Sequence, residues 1–218
     1  MDLFSNYINV VFYVLAFLIG GIPFGMLFTK LIYKIDLMQV GSGSIGATNV
    51  YRALKDIDPK RAKFFSIATL ILDATKGLIV VLLAKLCGLP YGAQWMIALL
   101  AIIGHCYSPY LGFRGGKGVS TAIGSVILLI PIEGALGLVV WAVVGKVFKV
   151  SSLSSLLGVL SGIALTFIVP YILPLPACIS VEEQIHSHVP LVLIGLFIIY
   201  THIPNIKRLF SGQESKVL

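Results

Sequence analysis

The sequence predicts an all-α integral membrane protein with seven transmembrane helices, and three observations lead to that fold class. Hydrophobic residues make up 58% of the 218 residues, whereas charged residues make up only 11%. Soluble globular proteins are about a quarter charged, so most of the surface of this chain must contact lipid. Apolar stretches of roughly the 20 residues that a spanning helix needs recur along the chain. Basic residues gather in alternate connecting segments, as in multi-pass proteins.

Seven apolar stretches define the expected helices. The first lies close to Met1 but lacks the basic segment of a signal peptide, since Asp2 is its only early charge, so we expect a transmembrane helix there. The fourth and fifth stretches are short and are separated by Pro131, which interrupts a helix. We expect spans at residues 7–33, 64–86, 92–112, 118–131, 133–148, 153–173 and 189–209, all within one membrane domain comprising residues 1–218.

The charges orient these helices. Basic residues follow the first, third, fifth and seventh spans, whereas the opposite loops hold Glu133, Glu182 and Glu183 with a single lysine. Cytoplasmic loops are enriched in Lys and Arg, so we expect the amino terminus outside and the carboxyl terminus in the cytoplasm. If residues 118–148 formed one span, the basic residues after the fifth stretch would lie outside, which favours seven spans.

Neither nucleic acid nor a metal ion is an expected partner. The net charge of +7 is explained by the positive-inside pattern of a membrane protein. The acidic residues are scattered, with no carboxylate cluster of the kind that holds magnesium. The three cysteines, Cys87, Cys106 and Cys178, lie far apart without metal or redox spacing.

Three polar clusters fall on the predicted cytoplasmic face, and the first occupies residues 41–52. Its glycines permit tight turns that present successive N–H groups, and its Ser, Thr, Asn and Arg side chains add donors, which favours phosphate binding. Residues 41–46 also fit the dinucleotide pattern G-x-G-x-x-G. No strand precedes that pattern, so we exclude a nucleotide-binding domain. The structural alternative is a flexible Gly/Ser loop.

The second cluster occupies residues 104–121, and its run Arg-Gly-Gly-Lys-Gly precedes the fourth predicted helix. Two cations and free amides at a helix amino terminus favour an anion. Membrane anchoring is the alternative for Arg114 and Lys117, but it does not explain the surrounding glycines. His105 beside Cys106 permits a nucleophile–base pair, although a histidine at a helix end more often makes a structural hydrogen bond.

The third cluster occupies residues 201–214. His202 and Asn205 are three residues apart and therefore share a helical face. The alternative is a helix end that meets lipid headgroups, with Lys207 and Arg208 as anchors. Anchoring alone does not require the histidine and the asparagine.

Two smaller features accompany the clusters. Asp73 and Lys76 lie deep in the second helix, where burying an ionisable residue costs free energy, and their spacing allows them to form an ion pair. The role of that pair is either functional or structural. Four serines open the sixth helix, where they can cap it or help to hold a phosphate: Ser151, Ser152, Ser154 and Ser155.

With these motifs the chain resembles the acyl-phosphate:glycerol-3-phosphate acyltransferases, bacterial integral membrane enzymes that make lysophosphatidic acid. The resemblance covers nearly the whole chain, in residues 20–25, 42–52, 73–77, 104–105, 113–119, 152–155 and 202–214. The family fold has seven helices with its motifs on the cytoplasmic side. The chain departs from the family pattern at Ser44, Ser108, Arg114 and Thr201, the last of which stands where an arginine often precedes the histidine.

The resemblance implies the first step of phospholipid synthesis: a fatty acyl group moves from acyl phosphate to the 1-hydroxyl of sn-glycerol 3-phosphate. An acyl phosphate carries a good leaving group, so direct attack without a covalent intermediate suffices, and catalysis can depend on positioning two phosphates. Catalytic roles are implied for Ser42, Arg52, Lys117, His202 and Asn205. Substrate binding is implied for Gly43, Thr48, Asn49, His105, Arg114, Gly115, Gly116, Gly118, Ser152, Ser155 and Glu214.

Within that assignment, Arg52 and Lys117 would bind phosphate, and Ser42, Ser152 and Asn205 would donate or accept hydrogen bonds. The glycines at positions 115, 116 and 118 would let the backbone approach the donor. His202 is the candidate general base, and the alternative is that a substrate phosphate oxygen takes the proton.

The expected partners are acyl phosphate, glycerol 3-phosphate, the lipid bilayer and, by function, the enzyme that supplies acyl phosphate. No cofactor is expected, a monomer suffices, and the site faces the cytoplasm from the bacterial inner membrane. The competing function is a membrane transporter of a phosphorylated solute, which would also use glycine-rich breaks and helix ends. The location of the polar clusters on one side argues against alternating access.

Overall fold

The computed structural model describes residues 3–216 and confirms the all-helical class, since those residues contain no β-strand. The helices are α1 (Leu3–Gly21), α2 (Phe24–Tyr33), α3 (Ala47–Leu54), α4 (Pro59–Leu86), α5 (Tyr91–Cys106), α6 (Val119–Val126), α7 (Pro131–Phe148), α8 (Ser151–Thr166), α9 (Val169–Ile172), α10 (Val181–Ile185), α11 (Val189–Thr201) and α12 (Ile203–Phe210). Short 3₁₀ turns occupy parts of the connecting segments.

Length and composition support four to five of the expected spans. Tyr7–Tyr33, Pro59–Leu86, Pro131–Phe148 and Ser151–Ile172 are each long and apolar enough to cross a membrane. A fifth span results if α11 and α12, which meet at a bend of 60°, are counted together. The expected fourth span is the shortest, because α6 has eight residues and is therefore about 12 Å long. The third, α5, has 16 residues.

The first span is interrupted between α1 and α2. Pro23 lacks an N–H group and lies at this break, where regular helical hydrogen bonding stops. The carbonyl oxygen of Ile22, at the end of α1, accepts a hydrogen bond of 2.8 Å from Nζ of Lys76 on α4. A buried ammonium group therefore satisfies a backbone acceptor that the break leaves inside the bundle.

Glycines allow three pairs of helices to pack backbone against backbone. A Cβ atom added at any of these glycines would overlap or crowd main-chain atoms of the facing helix. The pairs are Gly20 with Ala101 between α1 and α5, Gly124 with Ala74 between α4 and α6, and Gly137 with Gly158 between α7 and α8. Small residues at helix contacts are typical of membrane bundles, where close van der Waals packing drives association.

The two ends of the bundle differ in character. At one end, Nε1 of Trp95 donates to Gln184 on α10, and the Gln184 amide donates to the Leu129 carbonyl, both at 2.8 Å. Glu133 was expected in a loop at this end. It lies instead in the first turn of α7, which begins at Pro131, and it is 1% exposed. The polar clusters gather at the other end.

The contact between α4 and α6 can be tested with Gly124→Ala. The added methyl group would meet the carbonyl group of Ala74, so the helices must separate, and we expect the free energy of unfolding to fall by about 1–3 kcal/mol. Thermal unfolding in detergent, followed by circular dichroism, measures the loss. Gly92→Ala is the control, since a Cβ atom there meets nothing within 4 Å. Equal midpoints for the two variants would contradict this close contact.

Candidate active site

The three polar clusters meet around one cavity of about 280 Å³. Every residue with a predicted catalytic role lines it, namely Ser42, Arg52, Lys117, His202 and Asn205. Of the predicted substrate-binding residues, Thr48, Asn49, His105, Gly118, Ser152, Ser155 and Glu214 also line it. Gly43, Arg114, Gly115 and Gly116 are not part of its wall. Segments separated by more than a hundred residues in the sequence therefore form one site.

Three helix amino termini converge on the cavity. Although its glycine-rich pattern predicts a loop, the first cluster ends in helix α3, whose first residues line the cavity together with those of α6 and α8. A hydrogen bond of 2.9 Å between the hydroxyls of Thr48 and Ser151 joins the starts of α3 and α8. The first N–H groups of a helix lack intrahelical partners and carry partial positive charge. The arrangement therefore favours a bound anion.

Asn49 organises the loop that begins the first cluster. Its side-chain oxygen accepts a hydrogen bond of 2.9 Å from the N–H of Ser42. Its amide nitrogen lies 2.8–3.1 Å from three carbonyl oxygens, those of Leu37, Val40 and Ser44. Asn49 is 1% exposed, and these contacts use all of its polar atoms. Its side chain thus holds Ser42 at the cavity instead of offering free groups to a ligand.

Three of the predicted binding glycines serve the packing of the backbone. Gly43 has φ +66° in a turn closed by its N–H to the carbonyl of Val40. A Cβ atom at Gly115 would overlap the carbonyl oxygen of His105, and one at Gly116 would overlap its Nε2. Gly116 donates its N–H to the same carbonyl at 3.0 Å. Gly115 and Gly116 therefore pack their loop against the end of α5, and Gly43 lies in its own turn, so none of the three lines the cavity.

Lys117 is the cation of the second cluster that reaches the cavity, whereas Arg114 is exposed. Burial lowers the pKa of Lys117 to about 8, and the nearby guanidinium groups of Arg208 and Arg52 act in the same direction against the opposing effect of Glu214. The carbonyl of Lys117 accepts a hydrogen bond of 3.0 Å from the hydroxyl of Thr201. This hydrogen bond therefore connects the loop that precedes α6 to the end of α11.

Glu214 accepts hydrogen bonds from several side chains at the third cluster. Its Oε1 accepts hydrogen bonds from the Asn205 amide at 2.6 Å and the Ser152 hydroxyl at 2.8 Å, and its Oε2 accepts one from Nε of Arg208 at 2.6 Å. Burial alone would raise the pKa of this carboxyl, but the three hydrogen bonds outweigh burial and hold it below its ordinary value. These contacts occupy both oxygens of Glu214 and hold Asn205, Ser152 and Arg208 around it.

Two polar atoms of the third cluster suit a substrate hydroxyl. Nδ1 of His202 lies 2.8 Å from the carbonyl oxygen of Ile198, to which its N–H donates. In neutral His202 the other ring nitrogen, Nε2, then carries a lone pair and can accept a proton or a hydrogen bond. Within the described residues, Oδ1 of Asn205 is buried without a hydrogen-bond partner. A buried acceptor of this kind is costly unless a ligand or water satisfies it.

Sequence reasoning missed the apolar part of the site. Ile123, Leu138 and Trp141 line the polar cavity and also a second, apolar cavity of about 60 Å³ between α6, α7, α8 and α11. In hydrophobic spans the residues that line a crevice have the same composition as those facing lipid, so no pattern distinguishes them. Asp73 and Ser151 line the polar cavity as well, and for both the sequence left a structural role open.

Comparisons with known proteins agree with this geometry. Residues 10–212 match the family model described as glycerol-3-phosphate acyltransferase. The chain is 71% identical to the glycerol-3-phosphate acyltransferase of Helicobacter hepaticus, over 97% of this chain and 94% of the relative. It is 51% identical to that of Wolinella succinogenes, over 96% of this chain and 97% of the relative.

Two crystal structures share the fold. Both are of PlsY, an integral membrane glycerol 3-phosphate acyltransferase, and both are 31% identical to this chain, covering 95% of it and 94% of the crystallised chain. The TM-score is 0.79 for the glycerol 3-phosphate form and 0.75 for the lysophosphatidic acid form.

Proposed function

The chain belongs to the glycerol-3-phosphate acyltransferase family and acylates glycerol 3-phosphate, and from that premise we propose that its acyl donor is an acyl phosphate bound in the 280 Å³ cavity. The observation that carries this proposal is the convergence of three helix amino termini, Arg52 and Lys117 on one cavity. Helix amino termini and cations bind phosphate groups, and both acyl phosphate and glycerol 3-phosphate carry one. The adjoining apolar cavity suits the part of the alkyl chain next to the acyl group.

We assign the charged groups to the phosphates and the uncharged groups to orientation. Arg52 and Lys117 neutralise phosphate oxygens, aided by the free amides at the start of α6. The hydroxyl of Ser42 donates a hydrogen bond to the same anions, while Oδ1 of Asn205 accepts one from a glycerol hydroxyl. Support for this division comes from the position of each group in the wall and from the unpaired acceptor of Asn205.

The transfer needs no covalent enzyme intermediate. The 1-hydroxyl oxygen attacks the acyl carbonyl carbon and forms the ester bond, while the bond from that carbon to the phosphate oxygen breaks and leaves its electron pair on phosphate. The hydroxyl proton passes to a phosphate oxygen, or first to Nε2 of His202. Positioning of both substrates and stabilisation of the developing negative charge then account for the catalysis.

We further propose the seven-segment topology, with the cavity facing the cytoplasm of a bacterial inner membrane. The segments are α1 with α2, α4, α5, α6, α7, α8 with α9, and α11 with α12. Basic residues surround the cavity end of the bundle, which favours the cytoplasmic side. The protein acts as a single chain on this proposal, because residues of one chain form the whole wall, and an acyl-phosphate-forming enzyme must supply its donor.

Purified protein in detergent should release phosphate and form lysophosphatidic acid when it receives palmitoyl phosphate and glycerol 3-phosphate. Palmitoyl-CoA, offered in parallel, should give no product. Ser42→Ala and Asn205→Ala should each lower kcat/KM by at least about a hundredfold, because each removes a group that orients or stabilises the reacting centre. Phosphate release and product analysis measure both reactions.

Ser187→Ala is the matched control, since Ser187 does not line the cavity and its hydroxyl accepts only the N–H of Val189 at the start of α11. Activity with the CoA donor alone would overturn the donor assignment. If folded protein turns over neither donor, transport of a phosphorylated solute becomes the leading function, and uptake of labelled glycerol 3-phosphate into proteoliposomes tests it.

The lowered pKa of Lys117 predicts the pH dependence of substrate binding. Lys117 carries its charge below pH about 8 and loses it as the pH rises through that value, so KM for glycerol 3-phosphate should increase there. The phosphate is doubly charged across this range, because its second pKa is about 6. Lys117→Arg should keep KM flat, since arginine stays protonated. Lys207→Arg, at an exposed position, is the control, and an unchanged alkaline rise in Lys117→Arg would contradict the assignment.

The native cysteines test the proposed orientation. Cys87 and Cys178 are exposed and lie at the end of the bundle away from the cavity, whereas Cys106 is buried. A membrane-impermeant maleimide should label the two exposed cysteines in intact spheroplasts. In a Cys87→Ser, Cys178→Ser background, Lys55→Cys should react only after permeabilisation. Labelling in the opposite sense would place the cavity outside the cell.

A further inference from the structure

His105 lies where a buried charged pair meets the glycine loop that carries Lys117. On α4, Nζ of Lys76 lies 2.7 Å from Oδ1 of Asp73. The same nitrogen lies 2.9 Å from Nδ1 of His105, at the end of α5, and 2.8 Å from the carbonyl oxygen of Ile22. All three side chains are less than 5% exposed. The family resemblance implies substrate binding for His105 without identifying the atom that binds, and Asp73 and Lys76 have no role in the chemistry described above.

These contacts determine which nitrogen of His105 carries the proton. A lysine ammonium group has three N–H donors and no acceptor. Lys76 faces three groups that accept: a carboxylate, a carbonyl and a ring nitrogen. Nδ1 of His105 must therefore present its lone pair to Lys76. The proton of the neutral ring is then on Nε2.

The Nε2 end of the His105 ring lies at the loop that borders the cavity. Nε2 lies against Gly116, close enough that a Cβ atom there would overlap it. His105 lines the polar cavity beside Lys117 and Gly118. The backbone of the loop is fixed to the same residue, because the N–H of Gly116 donates to the His105 carbonyl at 3.0 Å. His105 therefore offers a donor at the point where the second cluster reaches the site.

We propose that Asp73 and Lys76 fix His105 as a neutral Nε2–H donor that hydrogen-bonds an oxygen of the acyl phosphate during transfer. This inference rests on the proposed acyl-phosphate donor. His105 and His202 then have opposite tautomers, one donating to the donor substrate and the other accepting from the glycerol hydroxyl. As the bond from carbon to phosphate oxygen breaks, negative charge grows on the leaving phosphate, and a fixed N–H group stabilises it. Lys76 acts through His105 and is a positioning residue.

Two variants of His105 separate the roles of its ring nitrogens. Glutamine places its amide nitrogen near the position of Nε2, whereas asparagine reaches only the position of Nδ1. With palmitoyl phosphate, His105→Gln should retain kcat within a few-fold of the wild type, and His105→Asn should lose about a hundredfold, with KM for glycerol 3-phosphate unchanged in both. Equal losses in the two variants, or full activity in His105→Asn, would overturn the donor role.

The tautomer itself can be read without any substrate. In protein with ¹⁵N-labelled histidine rings, the resonances absent from His105→Gln belong to His105, and their shifts should identify the Nε2–H tautomer. Lys76→Met should move His105 towards Nδ1–H and lower kcat about as much as His105→Asn. Lys85→Met, on the same helix, is the control and should change neither.

The spectrum of the wild-type protein decides the matter even if Lys76→Met does not fold, because an Nδ1–H tautomer there overturns the inference. An unchanged tautomer in folded Lys76→Met would overturn the positioning role of the lysine. A wrong donor assignment has a different signature: the wild type would then be inactive with palmitoyl phosphate while its spectrum still shows the Nε2–H tautomer.

Discussion

The constraint on which the site depends is that three helix amino termini, those of α3, α6 and α8, share one cavity. Their partial positive charges add to those of Arg52 and Lys117, and like charges held together are stable only with a compensating anion nearby. Glu214 supplies part of that compensation. Its carboxylate accepts hydrogen bonds from Asn205 and Arg208 of the third cluster and from Ser152 at the start of α8. The remaining positive potential is available to phosphorylated substrates.

The apolar bundle makes this convergence possible by holding the helix ends close together. Gly20, Gly124 and Gly137 let helices approach until main-chain atoms touch, which leaves little freedom for their relative positions. Asn49 holds the first loop in place by hydrogen-bonding four backbone groups, just as Glu214 holds the third cluster by accepting several hydrogen bonds. Rigid helices and a few saturated polar side chains together place the reactive groups within one wall.

The sequence predicted the helical class and many of the polar residues that line the cavity, because Ser42, Lys117 and Asn205 lie in short motifs whose donors exceed what a membrane anchor needs. The sequence did not predict how residues from distant helices contact one another. No pattern reveals that Gly116 packs against a histidine ring, or that Trp141 faces a crevice instead of lipid, since both depend on how distant helices meet. Hydropathy also overestimated the length of the fourth span, because apolar residues continue through the turn that ends α6.

The pairing of Asp73 with Lys76 on one helix has a consequence for the biogenesis of the protein. A single charged residue at the centre of a spanning helix raises the cost of membrane insertion by about 2.5–3.5 kcal/mol. Here the two charges are three positions apart and already in contact at 2.7 Å, so α4 brings its own counter-ion into the bilayer. The pair therefore needs no counter-ion from another helix to be neutral in the bilayer. His105 thus contacts a pair that is neutral overall, and the loop that carries Gly116 packs on His105.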